Sequence, residues 1–371
     1  LTKKTIGDII VNIKTKLIEN KRNKLLFYYL LHCIAKEIFY MEKIVGEDNW
    51  FNIKKFLSGF SGVGRDYRSE LAMSSILIVF FIVMSLASPF FFTKSNISNV
   101  ISQIAVLGII AIGQTYVIIT SGVDLSVGSL LGLTSMLMGM TMVRYGIAAG
   151  VVVALLSGIV FGILNGILIG YLKLPAFIVT LSTLSIGRSM TYVVSNGNAV
   201  TGLPSSFEML SKGKIFGIPY YLTLVVFLFF IWSWVTNNTT LGRYTYAIGS
   251  DEEATRLSGI NVSLYKAIPY VVVGFLVGIA SLVQSSRLMV IDPTFGNGLE
   301  LDTIAAVVIG GTSFMGGRGT LLGTAIGVIL LGFLRNSLNL IEVNPFWQGT
   351  VIGSVIIAIL VIEKATSKRH C

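Results

Sequence analysis

From residue 71 onward the chain returns repeatedly to apolar runs of about 17 to 25 residues, the length an α-helix needs to cross roughly 30 Å of hydrocarbon. Backbone amides in lipid must be satisfied internally, so only helices and closed barrels cross a membrane. No segment alternates polar and apolar residues as barrel strands do. The chain is therefore read as an all-α polytopic membrane protein. Spans are expected at 72–90, 97–120, 125–143, 147–171, 175–194, 219–235, 267–290, 303–312, 321–341 and 346–362, ten in all. The eighth is too short to cross alone, so it is expected to be a half-helix or to extend toward Leu299. With 53% hydrophobic and 12% charged residues, the composition is far from that of a soluble domain.

Lysine and arginine mark the loops that stay inside. They crowd the first seventy residues and recur at Lys173, at Arg243, Arg256 and Lys266, at Arg318, and in the tail at Lys364, Lys368 and Arg369. Both termini then fall on the cytoplasmic side of the membrane. The polar stretch 195–217 falls outside, although Lys212 and Lys214 run against that assignment. Three parts follow: a cytoplasmic tail at 1–70, a transmembrane body at 71–363 and a short cytoplasmic tail at 364–371. The first segment has three readings, a solvated tail, an amphipathic surface helix, or a translation start that belongs at Met41 or Met73. The net charge of +10 is accounted for by these flanks and calls for no nucleic acid. Cys33, Cys371, His32 and His370 all lie in the tails, so the membrane body has no His/Cys metal ligands.

Between two apolar spans stands a polar island, GRYTYAIGSDEEATRLSGINV, residues 242–262. Ser250 and Glu253 fit a capping box, which starts a helix at Asp251. Asp251, Glu252 and Glu253 complement the positive end of the helix dipole, and Gly259 is placed to end it in the left-handed conformation. Ala254 and Leu257 share one small apolar face, with Arg256 beside them. Such a short capped helix fits a groove on a partner; an ordinary loop helix on the membrane surface is the competing reading.

Past residue 70 there are ten carboxylates, and most sit in loops or at span ends. Asp124 is the one that qualifies as an intramembrane group. It lies in TSGVDLSVGS, residues 120–129, a glycine and hydroxyl break of the kind tolerated at membrane depth only where protein or a wet cavity satisfies the backbone. Two readings stand: Asp124, Ser126 and Ser129 shape a polar path, or Asp124 caps the third span by accepting from the amide of Ser126 or Val127. A second break, GGTSFMGGRGT at 310–320, carries five glycines, and a faint repeat links the two, with VIIT or VVIG before and LLG after. No GxxxxGK[ST] phosphate loop occurs anywhere. Gln114, Thr115, Thr180, Ser182, Thr183, Ser185, Asn196, Asn198, Asn336 and Asn339 are the remaining path candidates. Hydroxyls and amides suit a neutral, hydroxyl-rich solute better than an ion, and helix-to-helix hydrogen bonding is the alternative for each.

Four stretches in order, GQTYVIITSGVDLSVGS from Gly113, LGRYTYAIGSDEEATRLSGINV from Leu241, ELDTIAAVVIGGTSFMGGRGT from Glu300 and GFLRNSLNLIEVNPFWQ from Gly332, resemble the permease subunit of bacterial monosaccharide ABC importers of the ribose type. The resemblance covers residues 71–363. It implies an ABC permease fold with broken helices. In that family a cytoplasmic loop of the pattern EAA, three residues, then Gly docks into the ATPase subunit. Here the pattern falls on Glu253, Ala254, Thr255 and Gly259, with Thr255 in place of the second alanine. The resemblance also implies a permease homodimer, an ABC ATPase partner that holds ATP and Mg, and an extracytoplasmic sugar-binding protein. This chain then needs no cofactor of its own and breaks no bond in the solute. Other small solutes for an ABC permease are a nucleoside, a branched-chain amino acid or a furanose signal. A secondary carrier or channel would instead transport without ATP or partner subunits.

Overall fold

The computed structural model describes residues 68–344 and scattered positions between 347 and 357. The expected tails, apart from residues 68–70, and most of the expected tenth span lie outside the described residues. The helices are α1 (Arg68–Ala87), α2 (Lys94–Ile119), α3 (Val127–Tyr145), α4 (Ile147–Gly166, running on as a π-turn Ile167–Tyr171) and α5 (Ala176–Ser195). A four-residue helix α6 (Met209–Lys212) and a two-residue hairpin, β1 (Lys214–Ile215) with β2 (Ile218–Pro219), follow. The chain continues through α7 (Tyr220–Asn238), α8 (Thr240–Ser250), α9 (Glu252–Leu257), α10 (Val262–Leu288), α11 (Leu299–Ile309) and α12 (Leu321–Leu340). Seven described helices, α2 to α5, α7, α10 and α12, are long and apolar enough to cross a membrane. The expected count of ten is not reached among the described residues: α1 offers a shorter apolar stretch, Met73–Ala87, and α11 is a half-helix.

Local chemistry sets these boundaries. Thr93 caps α2 by accepting from the Asn96 amide, and Thr320 caps α12 by accepting from Gly323 at 3.0 Å. Asn261 caps α10 by accepting from the Leu264 amide, so that helix starts at Val262, five residues before the expected span, and carries Pro269 inside it. Helix α2 is the centre of the fold, buried at every position from Ala105 to Ile119. Helices α4 and α10 pack backbone to backbone through Gly158, Gly162, Gly166 and Gly170 on one side and Gly274 and Gly278 on the other. A Cβ on Gly162 would stand 2.5 Å from the Tyr270 carbonyl.

At about 1.5 Å per residue the eleven residues of α11 cover about 16 Å, half a bilayer core. The chain reaches its start from Ile291, which bridges Val200, through a segment laid along α3. Arg188 of α5 donates to the carbonyls of Pro293 (3.2 Å) and Phe295 (2.9 Å) there, satisfying backbone that no helix covers. The two breaks also end their helices alike. Thr120, Ser121 and Gly122 donate to the carbonyls of Tyr116, Ile118 and Val117; Gly310, Gly311 and Thr312 donate to those of Ala306, Val308 and Val307. Both are Schellman closures, with Ser121 (φ 59°) and Gly311 (φ 89°) in the left-handed position. The faint sequence repeat thus corresponds to a repeated backbone geometry.

Candidate functional site

The polar island folds as two helices meeting at one extended residue. Asp251 (φ −157°, ψ 104°) ends α8 and caps α9, its carboxylate accepting from the Ala254 amide at 2.9 Å. This corrects the capping box expected at Ser250 and the helix start expected at Asp251. Residues 240–250 are themselves helical, with Gly242, Thr245 and Ile248 on a buried face, so Ser250 belongs to α8 and the cap moves one residue on. Glu253 does not reach back to a cap amide. It grips Arg256 through both carboxylate oxygens, at 2.9 and 2.5 Å, and that hydrogen bond holds its carboxyl below the ordinary carboxylate range.

Gly259 stands at φ 80° just past the helix end, as expected. Thr255 is the buried side chain of α9, its hydroxyl returned to the Asp251 carbonyl at 2.7 Å. Ala254 and Leu257 point outward, Leu257 with 74% of its surface exposed. Glu252 crosses to Lys266 of α10 at 2.8 Å and fixes α9 against the transmembrane body. Beneath α9 lies a cavity of about 480 Å³ whose lining includes Lys173, Glu252, Arg256, Lys266 and Tyr270, with the tip of the first break.

The expected path residues separate into a joined group and isolated ones. Asp124, Ser126 and Thr180 come together in the first break. Asp124 Oδ1 accepts from the amide of Ser126 (2.8 Å) and from its hydroxyl (2.5 Å). The expected bond to the Ser126 amide is there, but it forms a turn ahead of α3, whose own cap residue is Ser126. Thr180 donates to the Val123 carbonyl at 3.3 Å. Gln114 is fully buried in α2, and its amide has no hydrogen-bond partner among the described residues. Asn336 exchanges two hydrogen bonds with Asn96, at 2.9 and 2.7 Å, tying α12 to α2. Ser182 sits on the exposed face of α5 with Ser185 and Ser189, its hydroxyl returned to Ile178 at 2.8 Å.

Two features escaped the sequence reading. Asn165 of α4, fully buried, joins the Ser126 hydroxyl (3.1 Å) to Thr183 of α5 (2.6 Å). The available signal was a lone carboxamide in the apolar run FGILNGILIG, residues 161–170. Asp302, buried at the start of α11, binds Arg335 of α12 at 2.7 Å across 33 positions of sequence. Arg287 donates to Ser102 at 3.0 Å. With Gln103, Gln284 and Asn297, these charged groups line a second cavity of about 240 Å³.

Residues 96–360 match the family described as the permease component of the branched-chain amino acid transport system. The ribose import permease RbsC of Bacillus subtilis is 41% identical over 78% of this chain and 91% of its own length. The corresponding Escherichia coli protein is 40% identical over 77% and 91%. The D-allose transport system permease AlsC of Escherichia coli is 33% identical over 79% and 90%. No solved structure matches.

Proposed function

The chain belongs to the permease family of branched-chain amino acid transport systems, and from that premise we propose that it is the membrane-spanning subunit of an ATP-driven importer for a monosaccharide of the ribose type. The observation that carries this reading is α9, a capped helix braced from behind by Glu252 and Lys266 while Ala254 and Leu257 face outward. A helix fixed on one side, with Ala254 and Leu257 exposed beside the Glu253–Arg256 pair on the other, passes on a push instead of absorbing it. The partner ATPase holds ATP and Mg, closes on them, and drives α9 of each copy in a permease homodimer, so that the halves rock between outward and inward openings.

On this reading Ser182, Ser185 and Ser189 of α5 face the solute across the homodimer, and the second copy supplies the facing stripe. Hydroxyls that already bond their own helix backbone, as Ser182 and Ser185 do, offer a polyol weak contacts without holding it. Asp124, Ser126 and Thr180 brace the break behind that face, Asn336 ties two helices, and Gln114 is a packed interior amide. An extracytoplasmic binding protein selects and delivers the sugar at high local concentration, which removes the need for a tight site in the permease. Both termini lie in the cytoplasm. Ribose is preferred over allose because the ribose permeases are the nearer relatives of the two, at 41% and 40% against 33% identity.

The test is uptake into proteoliposomes holding this chain with its ATPase and binding protein. Labelled ribose is expected to accumulate only with ATP and all three components. Uptake that persists without the ATPase would make the protein a carrier or channel.

A further inference from the structure

We propose that Asn165 and Thr183 are positioning residues that link movement of α9 to the solute-facing helix α5; this rests on the importer reading above. The link begins at a junction with no slack. Gly249, two residues before the α9 cap, lies against the tips of both breaks, and a Cβ there would stand 2.5 Å from the Gly317 amide. A Cβ on Gly317 would stand 2.7 Å from the Ser250 hydroxyl. The two tips are bonded to each other, Gly317 donating its amide to the Ile119 carbonyl at 2.9 Å and Ser121 its hydroxyl to the Met315 carbonyl at 2.9 Å. Backbone packed this closely moves as a unit, so displacement of α9 and the end of α8 reaches Ile119 and Ser121 directly.

From there a chain of buried side chains runs to α5. Asp124 holds the Ser126 hydroxyl, Asn165 donates to that same oxygen at 3.1 Å, and Thr183 donates to the Asn165 carbonyl oxygen at 2.6 Å. All four residues are 2% exposed or less. Each segment, the break, α4 and α5, contributes a member, and every bond is directional. Apolar packing would hold the same helices together while letting them slide. A buried hydroxyl or amide resists sliding because losing its partner costs its full desolvation. Thr183 lies on the buried side of α5, opposite Ser182 and Ser185, so it sets where the hydroxyl face stands without touching the solute.

The experiment compares solute moved per ATP hydrolysed in the fully reconstituted transporter, using wild type, Thr183→Val and Thr183→Ser. Valine keeps the volume and removes the hydroxyl; serine restores it. Expected is ATP hydrolysis still stimulated by the loaded binding protein in Thr183→Val, with solute moved per ATP down roughly threefold or more, and recovery in Thr183→Ser. Wild-type stoichiometry in Thr183→Val overturns the proposal, as does an equal loss in both variants, because serine keeps the hydroxyl and the loss would then not follow the hydrogen bond. Should Thr183→Val fail to assemble, Ser126→Ala removes a single oxygen from the middle of the chain and is expected to give the same split; a wild-type ratio there also overturns it. If wild type itself moves no sugar with ATP, the importer reading fails and not this link.

Discussion

Replacing Leu257 by alanine separates docking from folding, because the side chain already faces solvent in the permease. Full burial of a leucine is worth about 1.5–3 kcal/mol. With 74% of Leu257 still exposed, a partner groove has about 1–2 kcal/mol left to gain from covering it. Loss of that gain weakens binding roughly five- to thirtyfold. The stability of the permease should not change, since nothing in its own fold rests on the exposed part. The assay is titration of the ATPase onto permease in nanodiscs, paired with thermal unfolding of permease alone. Unchanged affinity with unchanged unfolding would refute the assignment of this face to docking. A fall in the unfolding midpoint would show that Leu257 packs within the chain, which its exposure denies.

Asp251→Ala removes the cap on the Ala254 amide, a loss of about 1 kcal/mol that frays a helix of only six residues; weaker ATPase binding is expected, with recovery in Asp251→Ser. Arg256 holds the Glu253 carboxyl below its ordinary value, so whatever the pair contributes is fully present above about pH 4.3 and is lost as pH falls through the lowered value. ATPase binding should accordingly not weaken through this pair between pH 8 and 5 in a titration of the same complex. Gly162→Leu forces a side chain against the Tyr270 carbonyl and the Val271 Cα, 2.5 and 2.9 Å from a Cβ at that site, and overpacking of this kind costs about 1–3 kcal/mol. Thermal unfolding in detergent should fall by several degrees.

Span length was legible because it is a one-dimensional property: hydrocarbon thickness sets it, and the expected spans at 97–120, 147–171 and 321–341 coincide with helices to within a few residues. The sequence places the cap of α9 one residue early because a serine three residues before a glutamate is a local signal, whereas the helix that takes in Ser250 is stabilised by burying Gly242, Thr245 and Ile248 against the body. Asn165 is hidden in the sequence for a related reason. Its partners come from residues 126 and 183, and nothing in an apolar run says which distant hydroxyl a carboxamide meets. Asn336 carries two readings in sequence, path residue or helix-to-helix bond, because polarity within a span is visible there and orientation is not; the structure turns it toward Asn96.

The two breaks explain why so short an element as α9 can act on the whole body. Each break ends its helix with the same Schellman closure, and the first break meets the second at Met315 and Gly317. Placed together, the tips bond to one another, and one side of the junction belongs to α2 and α3, the other to α11 and α12. The end of α8 sits where the two meet, so a push delivered there reaches both pairs of helices at once instead of passing through one into the other. A bulky residue at position 249 would press on the Ile119 carbonyl at the end of α2 and on the Gly317 amide together, and so part the two tips. Gly249→Val should therefore impair uptake more than it lowers the unfolding midpoint, whereas Gly162→Leu should lower both together.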